Sequence, residues 1–237
     1  MVKYEEAIKK PFTDLTKLVV GMVLSFIPII GWVTKGFAIE CSGLGKNKPS
    51  KKMPEWKNFW DLFIKGLLSD IIFFVYALPA VLVMLVGVGL TIGSLMGVYL
   101  GNIISPELLA SVKTGQTSLE VIGNLISQNW TLAVPVLVKM APIFLVGAIL
   151  MLAALYVAPI AILNYIKNKN FSAAFDFSVV SKKVFTGKYF IVWLVAIVLT
   201  AITTAVLSII PWIGKPIAVF IAAVIYYTLY GQVYREI

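Results

Sequence analysis

The stretch that decides the fold is residues 56–101, WKNFWDLFIKGLLSDIIFFVYALPAVLVMLVGVGLTIGSLMGVYLG. From residue 62 onward it is apolar except for Lys65 and Asp70, and about 40 residues at ~1.5 Å each would form roughly 60 Å of helix. Because the hydrocarbon core of a bilayer is about 30 Å thick, such a helix must kink, tilt or project beyond the membrane. The predicted bend is at Pro79, which has no N–H for the carbonyl of Val75.

The beginning of this stretch combines aromatic rings with lysines. Its four aromatic residues recur at i, i+3, i+4 and i+7, which places them on one face of a helix that Pro54 is predicted to start. A basic loop comes directly before it. Aromatic rings and lysines together are typical of a membrane surface with anionic headgroups. The predicted lipid interface consists of Lys46, Lys48, Lys51, Lys52, Trp56, Phe59, Trp60 and Phe63.

Four glycines at intervals of four residues follow Pro79. Gly89, Gly93, Gly97 and Gly101 lie along one side of the predicted helix and leave a groove in which another backbone can approach. This pattern, a glycine zipper, predicts helix packing within the chain, with the seam of a homodimer and a path for a small solute as alternatives.

Composition identifies the class of protein. Of the 237 residues 60% are hydrophobic and 13% are charged, and the mean hydropathy is +0.94, which is typical of an integral membrane protein with several crossings. The net charge of +9 comes from lysines beside apolar runs, so we expect anionic lipid and not nucleic acid as the partner. The single cysteine and the absence of histidine argue against a disulfide, a zinc site and most hydrolases. We therefore predict no enzyme activity and no cofactor.

The apolar runs predict one all-α membrane domain over residues 1–237. It has four full crossings, an amino-terminal helical hairpin and interfacial amphipathic helices. The hairpin is either re-entrant or spanning, and a spanning hairpin would give six transmembrane helices. Its predicted parts are the hairpin 1–45, a basic and aromatic segment 46–62, two long kinked helices in 62–166 with an outer loop 102–131, a basic segment 167–188 and a carboxyl-terminal hairpin 189–237.

The turns of the two hairpins have similar sequences. Residues 25–31, SFIPIIG, match residues 208–214, SIIPWIG, at five of seven positions. In an isoleucine-rich chain the match indicates either an internal repeat of helical hairpins or a chance similarity.

The lysines predict the orientation in the membrane. They concentrate in the amino terminus and in the segments 34–65 and 167–188, which a hairpin at 1–45 would place on one side together with the carboxyl terminus. Since positive residues are retained inside, both termini are predicted to be cytoplasmic, in the plasma membrane.

Several short motifs resemble a prokaryotic membrane family, the domain of unknown function 4013. They are Pro11-Phe12, Ile27-Pro28, Gly36, Pro54-Glu55-Trp56 with Phe63 and Gly66, Tyr76-Ala77-Leu78-Pro79, and more loosely Tyr156-Val157-Ala158-Pro159 with Phe171, Ala174 and Phe175. The resemblance implies a multi-pass membrane domain without a known activity, and it brings no catalytic residues.

Two function classes follow from the polar residues inside the apolar runs. Asp70 is an acid within the hydrophobic stretch, where an ionised group is costly unless it is paired or faces water. Two Tyr-x-x-Pro motifs, Tyr76/Pro79 and Tyr156/Pro159, are predicted near the midplane, where broken helices frame the sites of many transporters. The first hypothesis is a non-catalytic module that organises lipids or partner proteins through its basic surface, and the second is a small-solute or ion transporter or channel that uses these five residues. If these residues have only structural roles, Asp70 forms hydrogen bonds to Ser69, Tyr76 or Lys65, and the prolines only let the helices pack.

Overall fold

A computed structural model describes residues 2–27, 29–45, 50–103, 131 and 133–237. These residues form helices and no strand, which confirms the all-α class. The α-helices are α1 (Tyr4–Lys9), α2 (Leu15–Leu24), α3 (Gly31–Glu40), α4 (Phe59–Ile103), α5 (Ala133–Asn168), α6 (Phe177–Val184), α7 (Gly187–Leu207) and α8 (Gly214–Glu236). Within the described ranges, α4, α5, α7 and α8 are long and apolar enough to cross a membrane. Most of the predicted outer loop 102–131, Pro28, Lys46 and Lys48 lie outside the described residues.

The chain divides into two compact units. The first comprises Met1–Tyr76 and Ala154–Ile237, and the second comprises Ala77–Ala153. Both long helices α4 and α5 therefore contribute to each unit. In α4 the first unit ends at Tyr76, three residues before Pro79, which has no N–H to donate to the preceding turn of the helix.

The first unit is built around α8. In the most apolar window of this helix 72% of the residues are buried inside the protein, against 11% in α7, so α8 is central and α7 presents its apolar side chains outward. Tyr230 of α8, Phe37 of α3 and Tyr189 of α7 are among the largest fully buried side chains of this core.

The amino-terminal hairpin is short. Helices α2 and α3 have ten residues each, about 15 Å, which is half the thickness of a bilayer core. Each arm is therefore too short to cross, and the re-entrant alternative agrees with the structure better than the spanning one. Asp14 begins α2 by accepting a hydrogen bond from the backbone N–H of Lys17 at 3.1 Å.

The turns of the two hairpins share their backbone hydrogen bonds. Each of four bonds in the first turn has a counterpart 183 positions later in the second. The pairs are Ser25→Gly21 with Ser208→Thr204, Ile27→Leu24 with Ile210→Leu207, Gly31→Ile27 with Gly214→Ile210, and Thr34→Ile30 with Ile217→Ile213. The likeness of sequence is therefore accompanied by a likeness of structure, which favours an internal repeat over chance. The turns differ at Trp212, which has a left-handed backbone (φ 66) and is 94% exposed.

The start of α4 differs from the prediction. The helix begins at Phe59 and not at Pro54, because Asn58 has a left-handed backbone (φ 55), a conformation that asparagine tolerates better than most residues. Trp56 consequently lies outside the helix, and the predicted row of four aromatic residues on one helical face is wrong. The helix then continues through Pro79 to Ile103.

In the second unit, α4 and α5 pack through glycines other than the predicted ones. A Cβ added to Gly87 would lie 3.1 Å from Ile143, and one added to Gly147 would lie 2.7 Å from Met84. At Gly89, Gly93 and Gly97 an added Cβ would have no described atom within 4 Å, and these glycines are exposed. The predicted packing within the chain is therefore not found among the described residues. The surroundings of Gly101 lie outside them, and a homodimer seam stays a prediction.

Candidate functional site

Helices α3 and α4 cross at two glycines inside the first unit. A Cβ on Gly36 would lie 2.6 Å from the carbonyl carbon of Leu62, and a Cβ on Gly66 would lie 2.7 Å from that of Trp32. Both distances are well below an ordinary contact, so only glycine allows the two backbones to come this close. Each glycine is preceded by a lysine, and each lysine is followed five residues later by an acid.

Asp70 is one of these acids, and Lys35 is its ion-pair partner. The indole Nε1–H of Trp32 donates a second hydrogen bond to the Asp70 carboxylate at 2.8 Å. The expected partners Ser69, Tyr76 and Lys65 were wrong, since each bonds elsewhere. Partners on α3 hold this carboxylate, which is 45% exposed, in place.

Glu40 forms the reciprocal pair with Lys65. Glu40 is only 3% exposed, and the ammonium of Lys65 lies between its carboxylate and that of Asp61, which is 2.7 Å away. A buried carboxylate without a cation would be costly, so this pair joins the end of α3 to the beginning of α4. The two ion pairs lie beside the glycine crossing and depend on the closeness that it allows.

The tyrosines of the two Tyr-x-x-Pro motifs hold a neighbouring segment. The hydroxyl of Tyr76 donates to the carbonyl of Ala174, and that of Tyr156 donates to the carbonyl of Val184, both at 2.7 Å. Ala174 belongs to the 3-10 helix Phe171–Phe175, and Val184 ends α6. Both hydroxyls therefore have structural partners. Pro79 and Pro159 belong to different units.

The predicted lipid interface is only partly exposed. Trp56 stacks on Phe37 with ring centroids 3.8 Å apart and donates from Nε1 to the carbonyl of Lys17, so it forms part of the core. Phe63 is half-buried, whereas Phe59 and Trp60 are 51% and 72% exposed. Of its lysines, Lys51 lies 3.2 Å from Glu6, Lys52 is exposed, and Lys46 and Lys48 lie outside the described residues.

Four segments meet at one end of the first unit. The backbone N–H of Lys3 donates to Gln232 at 2.6 Å, Lys183 donates to the carbonyl of Tyr234 at 3.1 Å, and Arg235 donates to the carbonyl of Ser42 at 2.7 Å. We call this surface the basic end. Its exposed lysines without a carboxylate partner among the described residues are Lys52, Lys57, Lys167, Lys169 and Lys182.

A polar cavity of about 380 Å³ opens at the basic end. Lys10 and Arg235 are among the residues that line it, and sequence reasoning missed both. Burial lowers the pKa of Lys10, and the positive charge of Arg235 lowers it further. Burial likewise raises the pKa of the Cys41 thiol in this cavity to about 12. Among the described residues, no group of three or more Cys, Asp and Glu side chains is placed to hold a metal ion.

A comparison with known families places the chain in a family of unknown function. The family described as a protein of unknown function, DUF4013, matches residues 20–212, which is most of the chain. The chain belongs to this family. No curated protein and no solved structure matches it. The four long apolar helices support a multi-pass membrane protein. The match leaves out residues 1–19 and 213–237, which supply Lys10 and Arg235.

Proposed function

We propose that this DUF4013 protein is a non-catalytic membrane module that gathers anionic lipid at its basic end. We place that end, with both termini, on the cytoplasmic side of the plasma membrane. The observation that carries the proposal is the set of exposed lysines without carboxylate partners among the described residues. The meeting of three lysine-rich segments with the carboxyl terminus at one end supports the orientation, because positive residues are retained inside.

Exposed aromatic rings accompany these lysines. Trp60 follows Lys57 by three residues and is 72% exposed, and Phe185 follows Lys182 by three residues and is 84% exposed. A ring that enters the headgroup region keeps the neighbouring ammonium close to lipid phosphates. A lysine near an anionic membrane contributes about 1 kcal/mol, so several together would make the local lipid composition differ from that of the bulk.

The contacts of Asp70 do not favour the transporter alternative. A proton- or cation-coupling acid has to exchange its partner with water or substrate, whereas Asp70 is held by Lys35 and Trp32. The hydroxyls of Tyr76 and Tyr156 are also bonded to backbone carbonyls. We therefore assign these polar groups to the packing of the first unit.

Lipid enrichment around the full-length protein tests the proposal. The protein is reconstituted in phosphatidylcholine vesicles with a minor fraction of phosphatidylserine. Quenching of its tryptophan fluorescence by brominated phosphatidylserine is compared with quenching by brominated phosphatidylcholine. Lys57→Gln and Lys182→Gln should each weaken the preference for phosphatidylserine by up to about fivefold, the equivalent of ~1 kcal/mol, and added salt should weaken it in the parent protein.

Lys215→Gln is the matched control. Lys215 is also exposed, but it begins α8 whereas Arg235 lies near its end, about 30 Å along the helix. Its replacement should leave the preference unchanged. Equal effects of Lys182→Gln and Lys215→Gln, or a preference that salt does not alter, would contradict the proposal.

A further inference from the structure

Two of the four cationic side chains that line the polar cavity, Lys10 and Arg235, are each held by one backbone carbonyl. Lys10 is 3% exposed and donates to the carbonyl of Cys41 at 2.7 Å, and Arg235 donates to that of Ser42 at the same distance. Both carbonyls follow the end of α3, where cations commonly satisfy the last acceptors of a helix. An ammonium has three N–H donors and a guanidinium five, so this capping occupies only one of the donors on each side chain.

Neither cation forms an ion pair with a described carboxylate, although Glu6 acts electrostatically on Lys10 and Glu236 on Arg235. The cavity has two carboxylates, and both lie closer to other lysines. Glu6 is 3.3 Å from Lys3 and 3.2 Å from Lys51, and Glu236 is 3.7 Å from Lys188. Two cations at one cavity, one of them almost fully buried, repel each other and lose hydration, which an anion between them would offset.

An apolar cavity lies beside the polar one. It measures about 300 Å³, and it is lined by Ile191 and Val192 of α7, by residues of the amino terminus and, at its edge, by the Lys188–Glu236 ion pair. Val2 and Tyr4 face this cavity and Lys3 faces the polar one, while Glu236 lines both. A charged compartment thus lies next to an apolar compartment on an outward-facing helix.

We propose that the two cavities together bind one anionic phospholipid with a phosphate monoester headgroup. The phosphate lies between Lys10 and Arg235, because a guanidinium matches two phosphate oxygens and an ammonium adds a compact charge. An acyl chain lies against Ile191, which is 56% exposed. The polar cavity, at about 380 Å³, has the size of a small-ligand site. The inference rests on the proposed function because both involve anionic lipid. It concerns one lipid bound in a specific site, whereas the proposed function concerns the lipids gathered near the exposed lysines.

Binding of phosphatidic acid to the full-length protein in phosphatidylcholine nanodiscs tests the site. Native mass spectrometry should show one retained phosphatidic acid per protein. Lys10→Met and Arg235→Met should each raise the dissociation constant at least about tenfold, since each removes a charged hydrogen-bond donor from the phosphate. The control is Lys215→Met, because Lys215 is exposed near the start of α8, about 30 Å along the helix from Arg235, and it should change affinity less than twofold.

The other outcomes are decisive as well. Unchanged affinity in Lys10→Met and Arg235→Met would overturn the site, while the proposed function would still be judged by Lys57→Gln and Lys182→Gln. If glycerol 3-phosphate binds as tightly as phosphatidic acid with the same dependence on both residues, the ligand is a soluble phosphate monoester and the lipid assignment is wrong.

A measurement on the parent protein tests the site even if the variants fail to fold. A ligand that binds only the folded protein raises its melting temperature, so thermal unfolding of the parent protein reports occupancy. Phosphatidic acid should raise the melting temperature relative to phosphatidylcholine alone. The same melting temperature in both lipids would overturn the inference.

Discussion

Replacing Gly36 by alanine should separate α3 from α4. The new methyl carbon would lie 2.6 Å from the carbonyl carbon of Leu62 and 2.9 Å from its Cα, whereas ordinary contacts lie at about 3.4 Å or more. The obstacle is backbone and not the end of a flexible side chain, and the carbonyl oxygen of Leu62 lies closer still, so the helices must move apart by at least about 0.8 Å. Overpacking of a well-packed core costs about 1–3 kcal/mol, and a backbone obstacle belongs at the upper end of that range.

Two further effects determine the net change. Alanine is the better helix former by about 1 kcal/mol, which reduces the loss to roughly 2 kcal/mol. For a chain of this length that corresponds to a melting temperature lower by about 4–8 °C. Separation of the helices would also lengthen the Lys35–Asp70 and Glu40–Lys65 ion pairs, which adds to the loss.

The assay is thermal unfolding of the full-length protein in detergent, followed by intrinsic tryptophan fluorescence. Gly31→Ala is the control on the same helix, because a Cβ at Gly31 has no described atom within 4 Å. It should leave the melting temperature unchanged or raise it slightly. If Gly36→Ala and Gly31→Ala melt at the same temperature, the close crossing of α3 and α4 does not exist as described.

Three other substitutions test the remaining contacts. Glu40→Gln should destabilise the protein by about 1.5–3 kcal/mol, because the ammonium of Lys65 loses one of its two carboxylate partners and keeps Asp61. A denaturation midpoint equal to that of the parent would contradict the buried pair. Asp70→Asn should lower the melting temperature with no change in proton or cation flux across reconstituted vesicles, so a flux that disappears with this substitution would restore the transporter alternative. Gly87→Leu should destabilise the monomer whereas Gly93→Leu should not, and a crosslinked dimer lost only in Gly93→Leu would place a homodimer seam at the exposed glycines.

The class of protein was predictable because it depends on local composition. A mostly apolar helix of about twenty residues has few alternatives to a membrane crossing, and α4, α5, α7 and α8 are at least that long. The start of α4 was not predictable from Pro54 and the aromatic spacing. Asn58 interrupts the pattern with a backbone conformation that costs little in asparagine, and Trp56 then packs on Phe37.

The partners of Asp70 depend on tertiary contacts, and hydrophobicity alone carries no information about them. The regular spacing of the glycines around Gly93 predicted close helix packing, but spacing alone does not show whether a second helix lies against them. The glycines that pack closely, Gly36 and Gly66, are thirty positions apart and belong to no series. The cavity at Lys10 and Arg235 likewise combines residues from the two ends of the chain, 225 positions apart.

The sequence does contain a signal for the crossing of α3 and α4. Residues 35–40 read KGFAIE and residues 65–70 read KGLLSD, so a lysine, a glycine directly after it and an acid five residues after the lysine occur twice. When two such segments pack antiparallel, each lysine lies opposite the acid of the other, as Lys35 does with Asp70 and Lys65 with Glu40. The glycines bring the backbones close enough for both pairs to form at once. An isolated acid in an apolar run suggests a transport site, but an acid that belongs to a repeated pattern of this kind already has its counter-charge in the sequence, and its first explanation is helix packing.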